Sequence, residues 1–324
     1  MQPPVFEDIL AARPRVYAHM RPSALLNHPL VDQWIGCRVW IKHENHNPTG
    51  AFKIRGGLNL VAQLAPEERR RGVIAASTGN HGQSLALACR LHGVPCRIAV
   101  PVGNNPSKTA AMRAYGAEVT ELGRDFDDAR QQVERMAVAE GLRYVHTANE
   151  PALIAGVGTY ALEIFDDLPE ADAIFVPVGG GSGACGCVLA RTGRGARARV
   201  IGVQATGADA FTRSWRGPAR VTRDRIDTIA EGIATRTTYD LTFGILKNQL
   251  DDVVDVTDDE MLEAMAASVT RAHTLIESAS AASLAAARKS RLPSTANVIC
   301  VVSGGNVDVR GLMAVLTRAS VVAD

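Results

Sequence analysis

Short apolar runs of strand length alternate with segments of helical spacing along nearly the whole chain, and this alternation restricts the possible folds most strongly. The predicted strands are residues 39–42, 73–76, 96–100, 118–122, 173–178, 200–204, 253–256 and 298–302. The predicted helices are residues 82–92, 106–115, 126–140 and 151–167, with one more that begins at a capping box of Thr257 and Glu260. Strands that are apolar on both faces and alternate with helices indicate parallel sheets covered by helices on both faces. The predicted fold class is therefore α/β.

The size and charge of the chain describe an ordinary globular protein. Its 324 residues are enough for two lobes, and 46% of them are hydrophobic, 21% are charged and the net charge is +1. This balance gives no sign of a nucleic-acid or membrane-surface partner. No apolar stretch approaches the roughly 20 residues that span a bilayer. The first eight residues lack a basic region followed by an apolar one, so we expect no secretory signal.

Cysteine usage indicates a reducing compartment. The six cysteines all lie in apolar contexts, at positions 37, 89, 96, 185, 187 and 300. Cys185 and Cys187 are separated by one residue, which differs from the spacing of a zinc site. We therefore expect buried thiols in a cytoplasmic protein.

Two stretches interrupt the alternation of strands and helices. Residues 191–199 are rich in Gly and Arg and are typical of a solvated turn between a helix and a strand. Residues 208–236 contain Trp215, an Arg-Gly-Pro turn and further arginines, and they predict a long surface excursion. Such a loop is typical of a functional segment or of an oligomer contact.

Five residues after the predicted strand 173–178 are typical of an anion-binding turn. They are Gly179, Gly180, Gly181, Ser182 and Gly183. Glycines let the backbone approach an anion closely, and the helix that follows offers N–H groups and the positive end of its dipole. The same stretch matches a dinucleotide fingerprint, but that alternative requires a carboxylate at the end of the next strand, where this chain has Gln204.

Lys53 lies in a partly apolar turn, between Phe52 and Ile54 and close to Gly56 and Gly57. Most lysines are solvated and structural, and Lys53 can also be read in that way. A lysine in an apolar turn has a lowered pKa, which suits it to attack an aldehyde and then to act as a base. Together with the glycine turn, it indicates a site for pyridoxal phosphate.

Five motifs in order make the chain resemble the fold-type-II pyridoxal phosphate enzymes. They are residues 42–45, 47–56, 77–83, 179–183 and 303–306, and the resemblance runs from about residue 21 to about residue 308. The threonine/serine dehydratases (ammonia-lyases) and the serine racemases are the most similar members. The resemblance implies a two-domain, tryptophan synthase β-like fold, each domain a mostly parallel sheet flanked by helices. Residues 1–71 and 150–324 would form the large cofactor-binding domain, and residues 72–149 the small one.

The resemblance also implies the roles of the cofactor-binding residues. Lys53 would bind pyridoxal phosphate covalently, Phe52 would pack beneath the pyridine ring, and Asn80 would contact the ring hydroxyl. Residues 179–183 would hold the phosphate. Glu277 resembles a carboxylate near the ring, and Ser303 resembles the hydroxyl that faces the pyridine nitrogen. A neutral hydroxyl there makes a weaker electron sink than an aspartate does, which favours elimination.

A second group of residues would bind the substrate carboxylate. They are Ser77, Thr78, Gly79, Asn80 and His81. Thr78 stands where racemases carry a serine acid/base, so it is a candidate catalytic residue beside Lys53. Its bulkier, branched hydroxyl disfavours racemisation.

Other departures from the family pattern concern a metal loop and the substrate pocket. In the loop where relatives bind a divalent cation, Gln204 replaces a glutamate and Ala210 replaces an aspartate. Two lost oxygen ligands lead us to expect no metal there. Val157 and Ala148 also differ from the usual residues near the cofactor and indicate an altered pocket.

The implied activity is β-elimination from a β-hydroxy α-amino acid such as threonine or serine, giving a 2-oxo acid and ammonia. The alternatives are a racemase on the same scaffold, a synthase of the cysteine-synthase type and a non-catalytic protein that binds the cofactor or an amino acid. A homodimer is common for the family. Because the chain ends soon after Ser303, we expect no regulatory domain and no feedback control by isoleucine.

Overall fold

The computed structural model describes residues 1–322 and contains two compact units. The first unit consists of Met1–Arg21, Asn47–Thr49 and Lys53–Thr159. The second consists of Pro22–His46, Gly50–Phe52 and the residues from Tyr160 onward. Compactness alone does not define a cofactor-binding domain, so the domain boundaries given above stay a prediction.

The strands are short and most of them are buried. In chain order they are β1 Leu25–Asn27, β2 Arg38–His43, β3 Val73–Ala76, β4 Cys96–Val100, β5 Glu118–Glu121, β6 Arg143–Tyr144, β7 Ala173–Pro177, β8 Arg199–Ala205, β9 Asp252–Val256 and β10 Asn297–Val302.

Fourteen α-helices connect or cover the strands of the described chain. They are α1 Phe6–Tyr17, α2 Pro29–Ile35, α3 Lys53–Ala62, α4 Pro66–Arg71, α5 Asn80–His92, α6 Pro106–Ala114, α7 Phe126–Glu140, α8 Pro151–Asp167, α9 Ser182–Arg194, α10 Ala210–Arg216, α11 Asp240–Leu246, α12 Asp258–Ala272, α13 Ser278–Lys289 and α14 Val309–Val322. Three 3₁₀ turns occur at Glu44–His46, Thr206–Ala208 and Glu231–Ile233.

The first unit is built on a four-stranded parallel sheet in the order β5-β4-β3-β6. Helix α3 packs against α5, and small residues let the two helices approach closely. A Cβ atom on Gly57 would lie only 2.4 Å from Ser84 Oγ. Ser84 Oγ in turn donates to the carbonyl of Lys53 at 2.6 Å, so the start of α3 is tied to the middle of α5.

The second unit is built on a six-stranded sheet in the order β1-β2-β10-β7-β8-β9. All neighbours are parallel except β1 and β2. Strands β7 and β10 lie inside the sheet, and their side chains are almost all buried, as their continuous apolar runs predict. The turn residues after these two strands therefore emerge at the same edge of the sheet.

The structure confirms the predicted alternation. All eight predicted strands are present, with small shifts at their ends, and so are the predicted helices. Thr257 and Glu260 form the expected capping box at α12. Strands β1 and β6 escaped prediction because three and two residues are too few for a hydrophobic period.

The prediction of a surface excursion over residues 208–236 is wrong for its first part. Helix α10 buries Phe211, Thr212 and Ser214, because the helix packs against β9. The later residues 217–229 are mostly exposed, as predicted.

The six cysteines are reduced and buried, as expected. Within the described chain, no helix is both long enough and apolar enough to cross a bilayer.

Candidate active site

The candidate residues occur in both compact units. Lys53 and residues 77–81 belong to the first, whereas Phe52, residues 179–183, Glu277 and Ser303 belong to the second. Phe52 and Lys53 are consecutive in the sequence, so one belongs to the second unit and the next residue belongs to the first.

Lys53 is the first residue of α3 and is half-buried. Its Nζ lies 3.5 Å from the carbonyl oxygen of Thr147. Desolvation lowers the pKa of this amine from 10.5 to about 8. About a tenth of the amine is therefore neutral at pH 7, far more than for an ordinary lysine, and the neutral form is the one that attacks an aldehyde or accepts a proton.

The segment that carries Thr147 is held by an ion pair. Arg143 donates two hydrogen bonds to the Glu150 carboxylate, at 2.9 and 2.8 Å. His146 Nδ1 accepts from the backbone N–H groups of Ala148 and Asn149, both at 2.9 Å. Burial lowers the pKa of His146 to about 4, so the ring stays neutral. This bracing fixes the carbonyl that faces Lys53.

Residues 77–79 form the turn between β3 and α5, and residues 80 and 81 begin α5. Ser77 Oγ accepts from the N–H groups of Gly79 at 3.2 Å and Gly82 at 2.8 Å, so its hydroxyl shapes the turn from within. Thr78 is half-buried, and its carbonyl accepts from the Asn104 side chain at 3.3 Å. The Lys108 side chain covers this turn, since its Nζ lies 3.8 Å from the position of a Cβ on Gly79. A cation beside a turn at a helix N-terminus suits a carboxylate ligand.

Asn80 and His81 open helix α5. The His81 ring is buried, and its Nε2 lies 3.4 Å from the carbonyl of Val145. Desolvation, with a smaller contribution from the charge of Lys53, lowers the pKa of His81 to about 3. His81 is thus neutral and belongs to the surroundings of Lys53.

Residues 179–183 join β7 to α9, as the sequence predicted. Gly181 is the N-cap of α9 and has a φ of +90°, a value that L side chains rarely adopt. A Cβ on Gly179 would lie 2.5 Å from the carbonyl oxygen of Gly232. The backbone of this turn is therefore bare, and the first N–H groups of a thirteen-residue helix lie behind it. These features fit a phosphate.

Two buried side chains support the glycine turn, and the sequence did not predict either of them. Thr242 Oγ1 donates to the carbonyl of Gly180 at 2.7 Å. The Tyr160 hydroxyl lies 2.8 Å from the carbonyl of Gly183 and 3.0 Å from Cys187 Sγ. Neither residue has a diagnostic spacing from the glycines, because contact between distant segments leaves no periodic signal.

Phe52 and Ser303 lie side by side in the second unit. The N–H of Phe52 donates to the carbonyl of Ser303 at 2.9 Å, and Ala51 bridges Gly304. The Phe52 ring also lies 3.6 Å from where a Cβ on Gly183 would be. Phe52 thus brings the end of β10 and the glycine turn together, and this arrangement suits an aromatic ring bound above the phosphate site.

Glu277 is buried beside the same strand end. Its Oε1 lies 2.5 Å from the position that a Cβ on Gly304 would occupy, so a side chain at position 304 would displace this carboxylate. Its N–H donates to the carbonyl of Gly304 at 3.1 Å. A carboxylate is thus held next to Ser303.

Gln204 fills the loop that the family resemblance compared with a cation site. Gln204 Oε1 accepts from the N–H of Thr212 at 3.0 Å, and its Nε2 donates to the carbonyl of Val178 at 3.2 Å. Ala210 is completely buried. Among the residues described, no group of three potential ligands is arranged for a metal.

The fold and these residues fit one class of protein, the α/β enzymes that bind an aldehyde cofactor: a desolvated lysine suits the aldehyde, and a glycine turn at a helix N-terminus suits a phosphate. The family model described as pyridoxal-phosphate dependent enzyme matches residues 16–304. The chain belongs to this family, and its cofactor is pyridoxal phosphate.

Relatives with known activities match almost the entire chain. The L-threonine ammonia-lyase of Thermotoga maritima is 36% identical over 97% of this chain and 79% of its own. The serine racemase of Schizosaccharomyces pombe is 32% identical over 94% of this chain and 95% of its own. The solved structure of maize serine racemase superposes with a TM-score of 0.91 at 28% identity and covers 99% of both chains.

Proposed function

We propose that this protein is a hydroxy-amino-acid ammonia-lyase that converts a β-hydroxy α-amino acid such as threonine or serine into a 2-oxo acid and ammonia. The observation behind this proposal is the desolvated amine of Lys53, whose pKa is lowered to about 8. Such an amine can bind the cofactor and later accept a proton from carbon. The relatives named ammonia-lyases support the same reaction.

Lys53 has two tasks in this proposal. Its amine would hold pyridoxal phosphate covalently, and the same amine, once free, would accept the α-proton of the substrate. Bound pyridoxal phosphate supplies the electron sink for that carbon. The β-hydroxyl leaves as water, and a second water releases the nitrogen as ammonia.

The remaining site residues bind the cofactor or orient the substrate. Residues 179–183 would hold the phosphate, Phe52 would pack on the ring, Asn80 would contact the ring hydroxyl, and Glu277 and Ser303 would lie near the ring. The N–H groups of residues 77–81 hold the substrate carboxylate, and Thr78 presents a hydroxyl to the substrate. These placements are supported by the bare glycine turn and by the turn that Ser77 braces from within.

The test is a release assay over a panel of β-hydroxy amino acids that includes threonine, serine and threo-3-hydroxyaspartate. We expect 2-oxo acid and ammonia in equal amounts from at least one of them. Alanine, which has no leaving group, is the matched control and should release neither. A holoenzyme that produces no 2-oxo acid from any member of the panel would refute the proposal.

Racemisation of a hydroxy amino acid is the second candidate, and the similarity to serine racemases favours it, although Thr78 is bulkier than the serine of those enzymes. A racemase needs a proton donor on the face opposite Lys53, and Thr78 retains such a group. We expect Thr78→Ser to raise the ratio of D-serine to pyruvate and Thr78→Val to abolish D-serine. If the wild type, Thr78→Ser and Thr78→Val all give the same ratio of D-serine to pyruvate, Thr78 has no role in racemisation.

The finer assignments follow from the same set of observations. Six buried, reduced cysteines support a cytoplasmic location, and the family resemblance supports a homodimer. Residues 1–71 with 150–324 are proposed as the cofactor domain and residues 72–149 as the small domain. Gel filtration with light scattering tests the dimer.

A further inference from the structure

Three histidines of the second unit lie ring to ring, and the proposed function uses none of them. They are His28, the N-cap of α2, His43, the last residue of β2, and His46, in the 3₁₀ turn that follows. His43 is only 1% exposed, and its Nε2 lies 3.4 Å from the Nε2 of His28. Two ring nitrogens thus face each other at the surface end of a buried strand.

The side chain of His28 does not do what a side chain at its position usually does. A side chain at a helix N-cap commonly accepts a hydrogen bond from the first N–H groups of the helix, but His28 makes no such bond. Its backbone carbonyl accepts from Val31 at 2.8 Å and from Asp32 at 3.0 Å instead. The His28 ring meets the ring of His43 edge to face, with the centroids 5.7 Å apart.

The separation of 3.4 Å between the two Nε2 atoms fits two ligands of one metal ion better than a hydrogen bond. An N–H donor usually lies about 2.7–3.2 Å from its acceptor. Two nitrogens bound to one zinc ion at about 2.0–2.1 Å, at the tetrahedral angle, are about 3.3–3.4 Å apart. At the right angle of square-planar or octahedral sites they would be about 2.9 Å apart. The observed distance therefore matches tetrahedral zinc, for which imidazole is a suitable ligand.

The second ring nitrogen of His43 lies near an acceptor for its proton. A histidine that binds a metal through Nε2 carries its proton on Nδ1 and donates it to an oxygen. In the described chain, His43 Nδ1 and Asn45 Oδ1 are both buried atoms without a hydrogen bond, and the Asn45 side chain acts on the His43 ring. Asn45 Nδ2 already donates to Thr274 Oγ1 at 3.0 Å and to the Leu275 carbonyl at 3.1 Å. Asn45 Oδ1 is thus the end of the amide that can accept the proton of a metal-bound His43.

We propose that His28 and His43 bind a zinc ion through their Nε2 atoms and that this ion joins the start of α2 to the end of β2. No group of three or more His, Cys, Asp or Glu side chains is arranged for a metal among the residues described, so water completes the coordination. His28 is half-buried, which leaves solvent a path to the ion. The zinc ion would secure β1, a strand of three residues at the edge of the six-stranded sheet.

His46 orients His43 and is not a ligand in this proposal. Its ring stacks on that of His43, with the planes 8° apart and the centroids 5.0 Å apart. Its Nε2 lies 3.3 Å from Thr274 Oγ1, so this nitrogen is already engaged. The stacked ring and Asn45 together hold the His43 imidazole in one orientation.

The experiment measures the zinc bound by the untagged holoenzyme after equilibrium dialysis against a zinc salt. We expect one zinc ion per chain. His28→Ala removes a ligand from a half-buried position and should weaken zinc binding by at least about 10–100-fold, the loss seen when even an outer partner of a ligand is removed. The absorbance of the bound cofactor checks that the variant is folded. A wild type that binds no zinc, or a His28→Ala protein that binds it equally well, would overturn the inference.

His19→Ala is the matched control. His19 and His92 also meet edge to face, with centroids 5.1 Å apart, but they belong to the first unit. We expect this variant to bind zinc as the wild type does.

Cobalt(II) in place of zinc tests the geometry, because tetrahedral cobalt absorbs visible light far more strongly than octahedral cobalt does. We expect a strong visible band in the wild-type holoenzyme and none in His28→Ala. A weak, octahedral spectrum in the wild type would contradict the tetrahedral pair. Neither measurement needs turnover, so both are independent of the test of 2-oxo acid release.

Discussion

Two lysines show how surroundings separate a structural amine from a reactive one. Lys42 on β2 is completely buried, and its Nζ donates to the Glu163 carboxylate at 2.6 Å and to the Ser23 carbonyl at 2.8 Å. Lys53 at the start of α3 is half-buried, faces the Thr147 carbonyl at 3.5 Å, and has a pKa lowered by desolvation. The Lys42 amine is engaged by a carboxylate and a carbonyl, whereas desolvation favours the neutral form of Lys53. The more deeply buried lysine is therefore the less reactive one.

The strongest test of this contrast is Lys53→Ala. Loss of the amine removes both the covalent attachment and the base, so we expect 2-oxo acid release to fall by roughly 10²–10⁴-fold or more. The absorbance band that borohydride abolishes should disappear with it. Lys289→Ala, which removes an exposed amine paired with Glu260 at 3.1 Å, is the control and should keep both signals. Retention of turnover by Lys53→Ala would contradict the catalytic assignment.

Replacement of Lys42 tests the structural lysine. Lys42→Met leaves the Glu163 carboxylate buried without its cation, so we expect a loss of about 3–5 kcal/mol in the free energy of unfolding. Urea denaturation of the apoprotein measures it. The double variant with Glu163→Leu should recover part of the loss, because no unpaired charge remains. If Lys42→Met has the same urea midpoint of unfolding as the wild type, the ion pair does not stabilise the fold.

The pH dependence of cofactor binding sharpens the comparison. Only the neutral amine attacks an aldehyde, and the pKa of Lys53 is about 8, so the neutral fraction rises as pH rises through that value. From pH 7 to pH 8 this fraction grows about fivefold. The initial rate of covalent reconstitution of the apoprotein should follow it and level off at higher pH. A rate that still rises tenfold per unit above pH 9 would show an ordinary lysine.

The smallest expected effect concerns the backbone of Lys53. Ser84→Ala removes the 2.6 Å bond to the Lys53 carbonyl and should cost about 1 kcal/mol of unfolding free energy. Thermal unfolding of the apoprotein measures this loss, and reconstitution with cofactor should remain complete. Ser290→Ala, which removes a bond to the Ala286 carbonyl near the end of α13, is the control for loss of a serine hydroxyl. If Ser84→Ala instead reconstitutes incompletely with the cofactor while its unfolding temperature stays near that of the wild type, Ser84 positions the amine of Lys53.

The sequence was informative where local chemistry determines local structure. The apolar run over residues 173–178 predicted β7, and the glycines after it predicted a turn into a helix, because both signals lie within one short segment. Lys53 was found through its own neighbours in the same way. Strand β1 was missed because three residues carry no period, and α10 was missed because only Phe211 marks its buried face.

The supporting residues needed the folded chain. Tyr160 lies in a helix with an apolar pattern, which is typical of the core, and the bond from its hydroxyl to Gly183 depends on tertiary packing. His43 likewise resembles any residue at the end of a buried strand until its distance to His28 is known. Spacing in the sequence cannot rank such contacts, since they join segments far apart in the chain.

The distribution of the thiols gives each compact unit its own reporter of opening. Cys89 and Cys96 lie in the first unit, while the second holds the remaining four, and every one is shielded from solvent. An alkylating reagent added in mild denaturant would mark whichever unit exposes its sulfur atoms earlier, and peptide mass mapping would identify it. The native chain can therefore reveal its own order of unfolding without an engineered probe.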